Sequence, residues 1–324
     1  MSSIPVTIIT GFLGAGKTSL LNEIIAQHPD QSFAIIENEF GEIGIDQELV
    51  IGAEDGIFEM SNGCICCALN KDLIDLLVKL YQRRDRFSHL LIETTGIANP
   101  AAVAAAFISD PAVQEYYRLD AILCMVDSRH LENNLHQEKE AAQQLSFADV
   151  LIFNKTDLVS TTALERLQKM VHEINPYAQM LRTAHGKVDT KPLLQLAAFD
   201  PKVIEKSIET VAHHHDHQHQ HITSQSYRFN QDFDLMKFRH FMQVLLMFQS
   251  MRIYRIKGIL SFAHIEERMI FQSVQQQTIF RKGSAWQAGE AKESCLVVIG
   301  KGLDRSAFEK KLKECLVKVE SSTS

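Results

Sequence analysis

The residues best suited to do chemistry form a glycine-rich segment near the N-terminus, GFLGAGKT at positions 11–18. Its spacing is G-x-x-x-x-G-K-[ST], and glycines at this spacing let backbone N–H groups turn inward around phosphate oxygens. Lys17 would reach the terminal phosphates of a nucleotide, and Thr18 would place its hydroxyl on Mg²⁺. The helix that begins here adds the positive end of its dipole. We therefore predict a phosphate site formed by Gly11, Gly14, Ala15, Gly16, Lys17, Thr18 and Ser19.

A second segment, NKTD at 154–157, indicates which base is bound. It fits the N-K-x-D pattern, in which the Asp157 carboxylate can accept both the N1–H and the exocyclic amine of guanine. Adenine lacks that pair and would leave a charged acceptor unpaired. We therefore expect Asn154, Lys155 and Asp157 to bind GTP and GDP, with 183–185 forming a backbone loop over the guanine edge. A nucleotide kinase or an ATPase on the same loop is the alternative, and Asp157 argues against it.

An apolar run that ends in an acid lies between these segments, HLLIETTG at 89–96. A carboxylate at that place in a P-loop NTPase orients Mg²⁺ or its water, so Glu93 joins Lys17 and Thr18 as a candidate catalytic residue. Gly96 would offer its N–H to the γ-phosphate. Because Ile97 follows, with no glutamine to orient the attacking water, hydrolysis by the isolated protein should be slower than about 1 s⁻¹.

Three of the six cysteines, Cys64, Cys66 and Cys67, crowd into one short segment. Neighbouring thiolates ahead of a helix have lowered pKa values, and soft sulfur ligands select Zn²⁺ or Cu(I) over Mg²⁺. A closed structural zinc site uses four ligands, so three thiolates leave a vacancy that suits a carrier which must release its ion. A structural zinc site and a redox dithiol are the alternatives. The other three cysteines are expected to be packing or surface thiols.

Two further segments could bind metal. Glu37 and Glu42 lie in ENEFGE at 37–42, after the second predicted strand, and are expected to supply oxygen ligands to the thiol-bound metal. The acids of this segment could instead contact Mg²⁺ or activate water. The alternative is a solvated acidic loop. The segment 213–221 holds six histidines in nine residues, which would act as a flexible metal-collecting arm or as a polar linker with incidental affinity.

The pattern of elements predicts an α/β fold. Apolar runs alternate with segments of helical period through residue 200, which indicates a P-loop NTPase domain with a mostly parallel sheet. We expect a His-rich linker at 201–223 and a smaller α+β domain at 224–324, ordered β-α-β-β-β-α. The predicted strands are 6–10, 33–37, 89–93, 121–127 and 150–154, and then 226–229, 252–262, 269–280 and 295–300.

The composition excludes several classes of protein. Hydrophobic residues make up 45% of the chain and charged residues 23%, which is typical of soluble globular proteins. The net charge of -7 argues against specific nucleic-acid binding. There is no apolar run of about 20 residues and no signal peptide, so we expect no membrane contact and a cytoplasmic location.

Five segments in this order, GFLGAGKT, ENEFGE, GCICC at 63–67, ETTG at 93–96 and NKTD, resemble those of the CobW-type GTPases. These belong with the metal-insertion GTPases, and the layout is similar to that of the bacterial YjiA-like members. The resemblance covers the first 200 residues by motif and the remainder by layout.

The resemblance implies a GTP-driven metallochaperone that delivers metal to a metal-requiring client protein. Mg²⁺ would accompany GTP, and Zn²⁺ would be the cargo, with Co²⁺ or Ni²⁺ as alternatives. It credits Cys66 and Cys67 most, with Cys64 sharing the motif. Such GTPases often pair across the nucleotide face, so a homodimer is a further expectation. The alternative without catalysis is a zinc-buffering protein with a regulatory GTP site.

Overall fold

The structure is a computed structural model that describes residues 3–37, 57–59, 69–211, 217–218, 222–274, 276–287 and 289–317. It divides into two compact units, Met1–Phe199 and Asp200–Ser324, each with its own sheet.

In the described part of the first unit, strands and helices follow one another in the mixed α/β order that the sequence pattern predicts. The strands are β1 (Ile4–Gly11), β2 (Phe33–Glu37), β3 (Ile57–Glu59), β4 (His89–Glu93), β5 (Tyr117–Asp127), β6 (Val150–Asn154) and β7 (Gln179–Arg182). The helices are α1 (Lys17–Gln27), α2 (Leu69–Tyr81), α3 (Pro100–Ser109), α4 (Pro111–Tyr116), α5 (Leu131–Gln137), α6 (Lys139–Phe147) and α7 (Thr161–Ile174).

The strands form one sheet in the order β3-β2-β4-β1-β5-β6-β7, and each pair of neighbours that the structure describes is parallel. Strands buried on both faces need continuous apolar runs, and β6 is buried along its whole length. Because parallel strands share a direction, their carboxyl ends meet at one edge. Gly11, Glu37, Glu93, Asp127 and Asn154 all end strands at this edge.

This unit confirms the predicted α/β class and the parallel sheet. The bounds of β2, β4 and β6 agree with prediction, whereas β1 and β5 begin earlier in the chain. Two strands were not predicted: β3 has three residues, and β7 (sequence QMLR) is a half-exposed edge strand with little apolar signal.

The second unit is α+β, which also agrees with prediction. Its helices are α8 (Pro201–Val211), α9 (Leu235–Gln249) and α10 (Arg305–Glu314). Its strands are β8 (His217–Gln218), β9 (Thr223–Phe229), β10 (Ile253–Leu260), β11 (Glu267–Val274), β12 (Gln277–Ala285) and β13 (Ser294–Gly300). They pair antiparallel in the order β12-β11-β10-β13-β9-β8, and α9 and α10 pack on the sheet around a core rich in phenylalanine.

Two details of this unit differ from the predicted layout. The run 269–280 is not one strand, since Met269 pairs with Lys282 across a hairpin formed by β11 and β12. The chain reverses there among glutamines, with no glycine, proline or asparagine to mark a turn. The first eleven residues of the range expected as a linker form α8, whose Ile204 and Ile208 are buried one helical turn apart.

No helix in the described part of the chain has both the length and the apolar character needed to cross a membrane.

Candidate functional site

The predicted phosphate loop lies between β1 and α1, at the carboxyl edge of the first sheet. Gly11 ends β1, Gly14 and Ala15 follow in the loop, and Lys17, Thr18 and Ser19 form the first turn of α1. Gly16 precedes the helix with φ 104°, a left-handed conformation that side chains disfavour. A Cβ atom there would lie 2.5 Å from Nδ2 of Asn154. The loop is therefore a cradle of backbone groups that glycine keeps open, which fits a bound phosphate.

Thr18 and Glu93 meet where the loop joins the helix. The Thr18 hydroxyl donates to Oε1 of Glu93 at 3.0 Å, although 75 residues separate them in sequence. Strand register brings them together, because Glu93 at the end of β4 pairs with Ile9 of β1. A hydroxyl and a carboxylate are hard oxygen donors of the kind that Mg²⁺ prefers. These two residues thus fit the magnesium position that the sequence assigns to them.

The Lys17 ammonium is buried inside the loop. Its Nζ atom donates to the Phe12 carbonyl at 3.4 Å, so the side chain curls back over the glycine segment. Burial lowers the pKa of Lys17, and the neighbouring Glu93 carboxylate opposes that shift. A cation held in a place where desolvation disfavours it would be stabilised by an anionic ligand.

Asn154 joins the phosphate loop to the base segment. Its Nδ2 donates to the Ala15 carbonyl at 2.8 Å, while its Oδ1 accepts the backbone N–H groups of Lys155 at 2.8 Å and Gly186 at 3.0 Å. Three segments far apart in sequence therefore converge on one side chain. Gly186 follows the predicted base loop 183–185, and the Thr183 carbonyl accepts the Thr156 N–H and hydroxyl at 3.3 and 2.9 Å.

The Asp157 side chain is 38% exposed at the open side of this arrangement. Its Oδ2 lies 3.9 Å from Nε2 of His185, whose own side chain is 78% exposed. A carboxylate with solvent access is available to accept the two N–H groups of a guanine.

Asp127 was not predicted, although it ends β5 beside the strand that carries Asn154. Its Oδ2 accepts the Lys155 ammonium at 2.6 Å and lies 3.1 Å from Nδ1 of His130. Its Oδ1 accepts the backbone N–H groups of Arg129 at 3.0 Å and His130 at 3.3 Å. Burial opposes ionisation, but the hydrogen bonds from Lys155 and His130 outweigh it and hold the pKa of Asp127 below its usual value. Its place at the same sheet edge as Asn154 was the signal that could have found it.

Gln144 on α6 was also not predicted. Its buried amide donates to the carbonyls of Gly96 and Ala98 at 3.0 and 3.1 Å. Gly96 itself packs on the phosphate loop, because a Cβ atom there would lie 2.6 Å from the Leu13 nitrogen. Gly96, the residue predicted to contact the γ-phosphate, is thus held between the phosphate loop and α6. No local pattern marks a glutamine in a helix for such a role.

Only part of the predicted metal set can be placed. Glu37 ends β2 and pairs in register with Glu93, at the nucleotide edge of the sheet. Glu42, Cys64, Cys66 and Cys67 lie outside the described residues. Within the described ranges no three metal-ligating side chains cluster, and burial raises the pKa of Cys124 to about 12. Cys295 and Cys315 are buried free thiols as well, so these three cysteines are packing residues.

A parallel sheet with a phosphate loop at its carboxyl edge is the architecture of a P-loop nucleotide-binding protein. A family model described as CobW/HypB/UreG, nucleotide-binding domain, matches residues 5–182. A second, described as the cobalamin synthesis protein cobW C-terminal domain, matches residues 222–316. The chain belongs to the CobW/HypB/UreG family, and it is a GTPase.

Its relatives include two full-length matches. The zinc chaperone YjiA of Escherichia coli (strain K12) is 31% identical over 304 residues, which cover 93% of this chain and 95% of that protein. The zinc chaperone CobW of Pseudomonas aeruginosa is 31% identical over 349 residues, covering 98% and 92%. Among solved structures, that of the Zn(II)-bound YjiA GTPase from E. coli matches with a TM-score of 0.75 at 27% identity, covering 98% of this chain and all of that chain.

Proposed function

We propose that this chain is a GTP-hydrolysing metallochaperone that binds zinc at Cys64, Cys66 and Cys67 and transfers it to client proteins. The observation that carries the proposal is the shared edge of the sheet. β1 and β4 end at the phosphate loop and at Glu93, and β2 and β3 lie next to them in the same sheet. In the sequence, the acidic segment follows β2 and the thiol segment follows β3. The names of the relatives support zinc as the metal.

The nucleotide is bound by groups that already face one another. The backbone of the phosphate loop and Lys17 hold the phosphates, and Asp157 accepts the guanine N–H groups while Asn154 fixes the base segment. Thr18 and Glu93 would hold a magnesium ion and its water, and the chemistry that this ion would supply is neutralisation of phosphate charge during hydrolysis. Gly96 presents its N–H to the γ-phosphate.

The number of residues between β3 and the thiols limits how far the proposed metal site can lie from this edge. β3 ends at Glu59, and Cys64 follows five positions later in the sequence. An extended chain spans about 3.6 Å per residue, so the Cα atom of Cys64 lies within about 18 Å of the Cα atom of Glu59. Glu37 stands on the neighbouring strand, directly beside Glu59 in the register. A γ-phosphate and a thiol-bound metal can therefore influence each other through short segments, with Glu37 and Glu42 as oxygen ligands.

We place the protein in the cytoplasm, where thiols stay reduced. The proposal includes a homodimer that pairs across the nucleotide face, and Co²⁺ or Ni²⁺ as alternative cargo. We also expect hydrolysis to be slow until a client is present, because the Ile97 side chain cannot orient the attacking water.

The test is a Zn²⁺ titration of the GTP-analogue and GDP complexes by competition with a chelator. Coupling energies between linked sites correspond to about 5- to 150-fold in affinity, so the two complexes should differ by about tenfold or more. Replacing Cys66 and Cys67 by serine should abolish the tight site. Cys315→Ser is the matched control, because Cys315 is a packing thiol whose Sγ donates to the Lys311 carbonyl, a bond that serine can keep. Equal zinc affinity in the two nucleotide complexes would rule out the proposed coupling.

Deletion of residues 213–221 separates this function from zinc storage. A carrier keeps one tight site at the cysteines after the deletion, whereas a storage protein loses most of its capacity. The number of bound zinc ions, measured by equilibrium dialysis, decides between the two.

A further inference from the structure

Gln144 is a buried amide that serves a loop far from it in sequence. Its side chain is 1% exposed, and its Nε2 donates to two backbone carbonyls 48 and 46 residues away, those of Gly96 and Ala98. An amide nitrogen carries two hydrogens, and these two contacts use both of them. Burying an amide is costly unless it is hydrogen-bonded, and both hydrogens of this amide have a carbonyl partner.

The segment 94–98 is fixed from two sides. At its start, the Thr94 N–H donates to the Ile9 carbonyl at 2.9 Å, and the Thr94 hydroxyl donates to that of Thr10 at 3.0 Å. At its end, the Ala98 N–H donates to the Thr95 carbonyl at 3.1 Å, which closes a turn around Gly96. β1 therefore holds the entry to the turn, and Gln144 holds the carbonyls of the turn itself.

Helix α6, which carries Gln144, is itself held in place. The C-terminal end of α6 is bound by Asn175, whose Nδ2 donates to the Leu145 and Ala148 carbonyls at 2.7 and 2.9 Å. A helix held in this way cannot shift to follow the turn without breaking buried hydrogen bonds. The two contacts of Gln144 thus fix the Gly96–Ile97 and Ala98–Asn99 peptide groups. The Thr95–Gly96 peptide, which carries the Gly96 N–H, is held in the same turn because its carbonyl accepts the Ala98 N–H.

We propose that Gln144 is a positioning residue for GTP hydrolysis: by fixing the Gly96 and Ala98 carbonyls, it holds the Gly96 N–H in the orientation that receives the γ-phosphate. GDP has no γ-phosphate, so the contact distinguishes the two nucleotides. This inference rests on the proposed contact between Gly96 and the γ-phosphate.

The test compares Gln144→Met with Gln143→Met in the full-length protein. Methionine keeps the length of the side chain and removes both donors, and Gln143 is the adjacent, half-buried glutamine of the same helix. Affinities for a fluorescent GDP and for a fluorescent non-hydrolysable GTP analogue are measured, together with single-turnover hydrolysis. For Gln144→Met we expect the GTP-analogue affinity and the hydrolysis rate to fall about tenfold, with GDP affinity within about twofold of wild type.

Gln143→Met should leave all three quantities unchanged. Equal losses for GDP and the GTP analogue would show that Gln144 is only structural, and no loss for either would also overturn the inference. Gln144→Asn keeps the amide one methylene short of the carbonyls, so it should reproduce the selective loss, and it serves as the test if the methionine variant does not fold.

Gly96→Ala separates this inference from the function on which it rests. The added methyl group meets the Leu13 backbone and moves the turn, so GTP-analogue affinity should fall while GDP affinity stays. If Gly96→Ala changes the preference and Gln144→Met does not, only the role of Gln144 fails. If neither variant changes it, the γ-phosphate contact of this turn fails too.

Discussion

At the scale of single residues, the Asp127 carboxylate links the end of β5 to the N-K-x-D segment at 154–157. It holds the Lys155 ammonium at 2.6 Å and is itself 96% buried, so the ion pair is shielded from water on one side. The Lys155 backbone has φ 57°, in the left-handed region that non-glycine residues disfavour. The ion pair and the Asn154 contact together keep Lys155 in this conformation, next to Asp157.

Asp127→Asn should therefore weaken GTP and GDP binding together, by about tenfold each, because the base and not the γ-phosphate is affected. The change keeps the shape of the side chain and removes its charge. Fluorescent-nucleotide titrations measure both affinities, and Glu132→Gln is the control, since Glu132 pairs with Arg166 on the surface at 2.9 Å. A selective loss of GTP alone would contradict this account and would resemble instead the effect expected for Gln144.

The sequence predicts residues that act within one contiguous segment. The phosphate loop and the N-K-x-D segment can be predicted from the spacing of their residues alone. Asp127 and Gln144 act on partners 28 and 48 residues away, so only the fold brings them into contact. A single aspartate at a strand end and a single glutamine in a helix are common in proteins. The strand end places Asp127 at the functional edge of the sheet, but neither residue has a local pattern that indicates its partner.

At the scale of elements, helix α6 connects the turn around Gly96 with β6, which ends at Asn154. Asn175 is the residue after α7, and its buried amide contacts three carbonyls at the end of α6 and just beyond. These carbonyls are among those that a helix leaves unsatisfied at its C-terminus. One residue therefore closes two helix ends, since the Asn175 side chain binds the end of α6 and its backbone N–H donates to the Val171 carbonyl at the end of α7.

Asn175→Ala should lower the free energy of unfolding by about 2–3 kcal/mol, because buried carbonyls lose their donor and a small cavity remains. Urea denaturation followed by circular dichroism measures this. Asn133→Ala is the matched control: Asn133 is exposed on α5, and surface substitutions stay within about 0.5 kcal/mol. A loss below about 1 kcal/mol for Asn175→Ala would mean that α6 is held mainly by its apolar face.

Elements were predicted well where burial dominates and poorly where it does not. β2, β4 and β6 are five-residue runs with four or five buried positions, and their predicted bounds agree with the structure. β12 alternates between half-buried and exposed residues and follows a turn without marker residues, so it merged with β11 in the prediction. Strand pairing, which decides that β12 is separate, is a long-range property that a local pattern does not contain.

At the scale of the whole molecule, a buried histidine makes stability depend on pH. His89, the first residue of β4, is buried, and its Nε2 lies 2.8 Å from the Thr7 hydroxyl of β1. Burial, helped by the charges of Arg118 and His28, lowers the pKa of His89 to about 4. The unfolded chain has a histidine pKa near 6.5, so between pH 6.5 and 4 the unfolded state binds a proton that the folded state does not. The folded state is therefore destabilised as the pH falls through this range.

We expect this one residue to remove about 3 kcal/mol of stability between pH 7 and pH 4. Urea denaturation of wild type and His89→Gln at a series of pH values measures it. Glutamine cannot titrate, and it can keep a hydrogen bond to Thr7. The difference between the two curves should change steadily from about pH 6.5 to 4, and parallel curves would contradict the prediction.

The position of β1 in the sheet has a consequence for synthesis on the ribosome. β1 is the first strand to be made, yet it lies between β4 and β5, which are completed only at Glu93 and Asp127. The phosphate loop that follows it also rests on Asn154, so a nascent chain carries the loop for more than a hundred residues before it can bind a nucleotide. Domains fold as units during translation. Under the proposed nucleotide contacts, the growing chain therefore cannot bind GTP before residues 154–157 are made. A chain that stops before Glu93 lacks both neighbours of β1 and is left with an unpaired, apolar strand that other chains can capture.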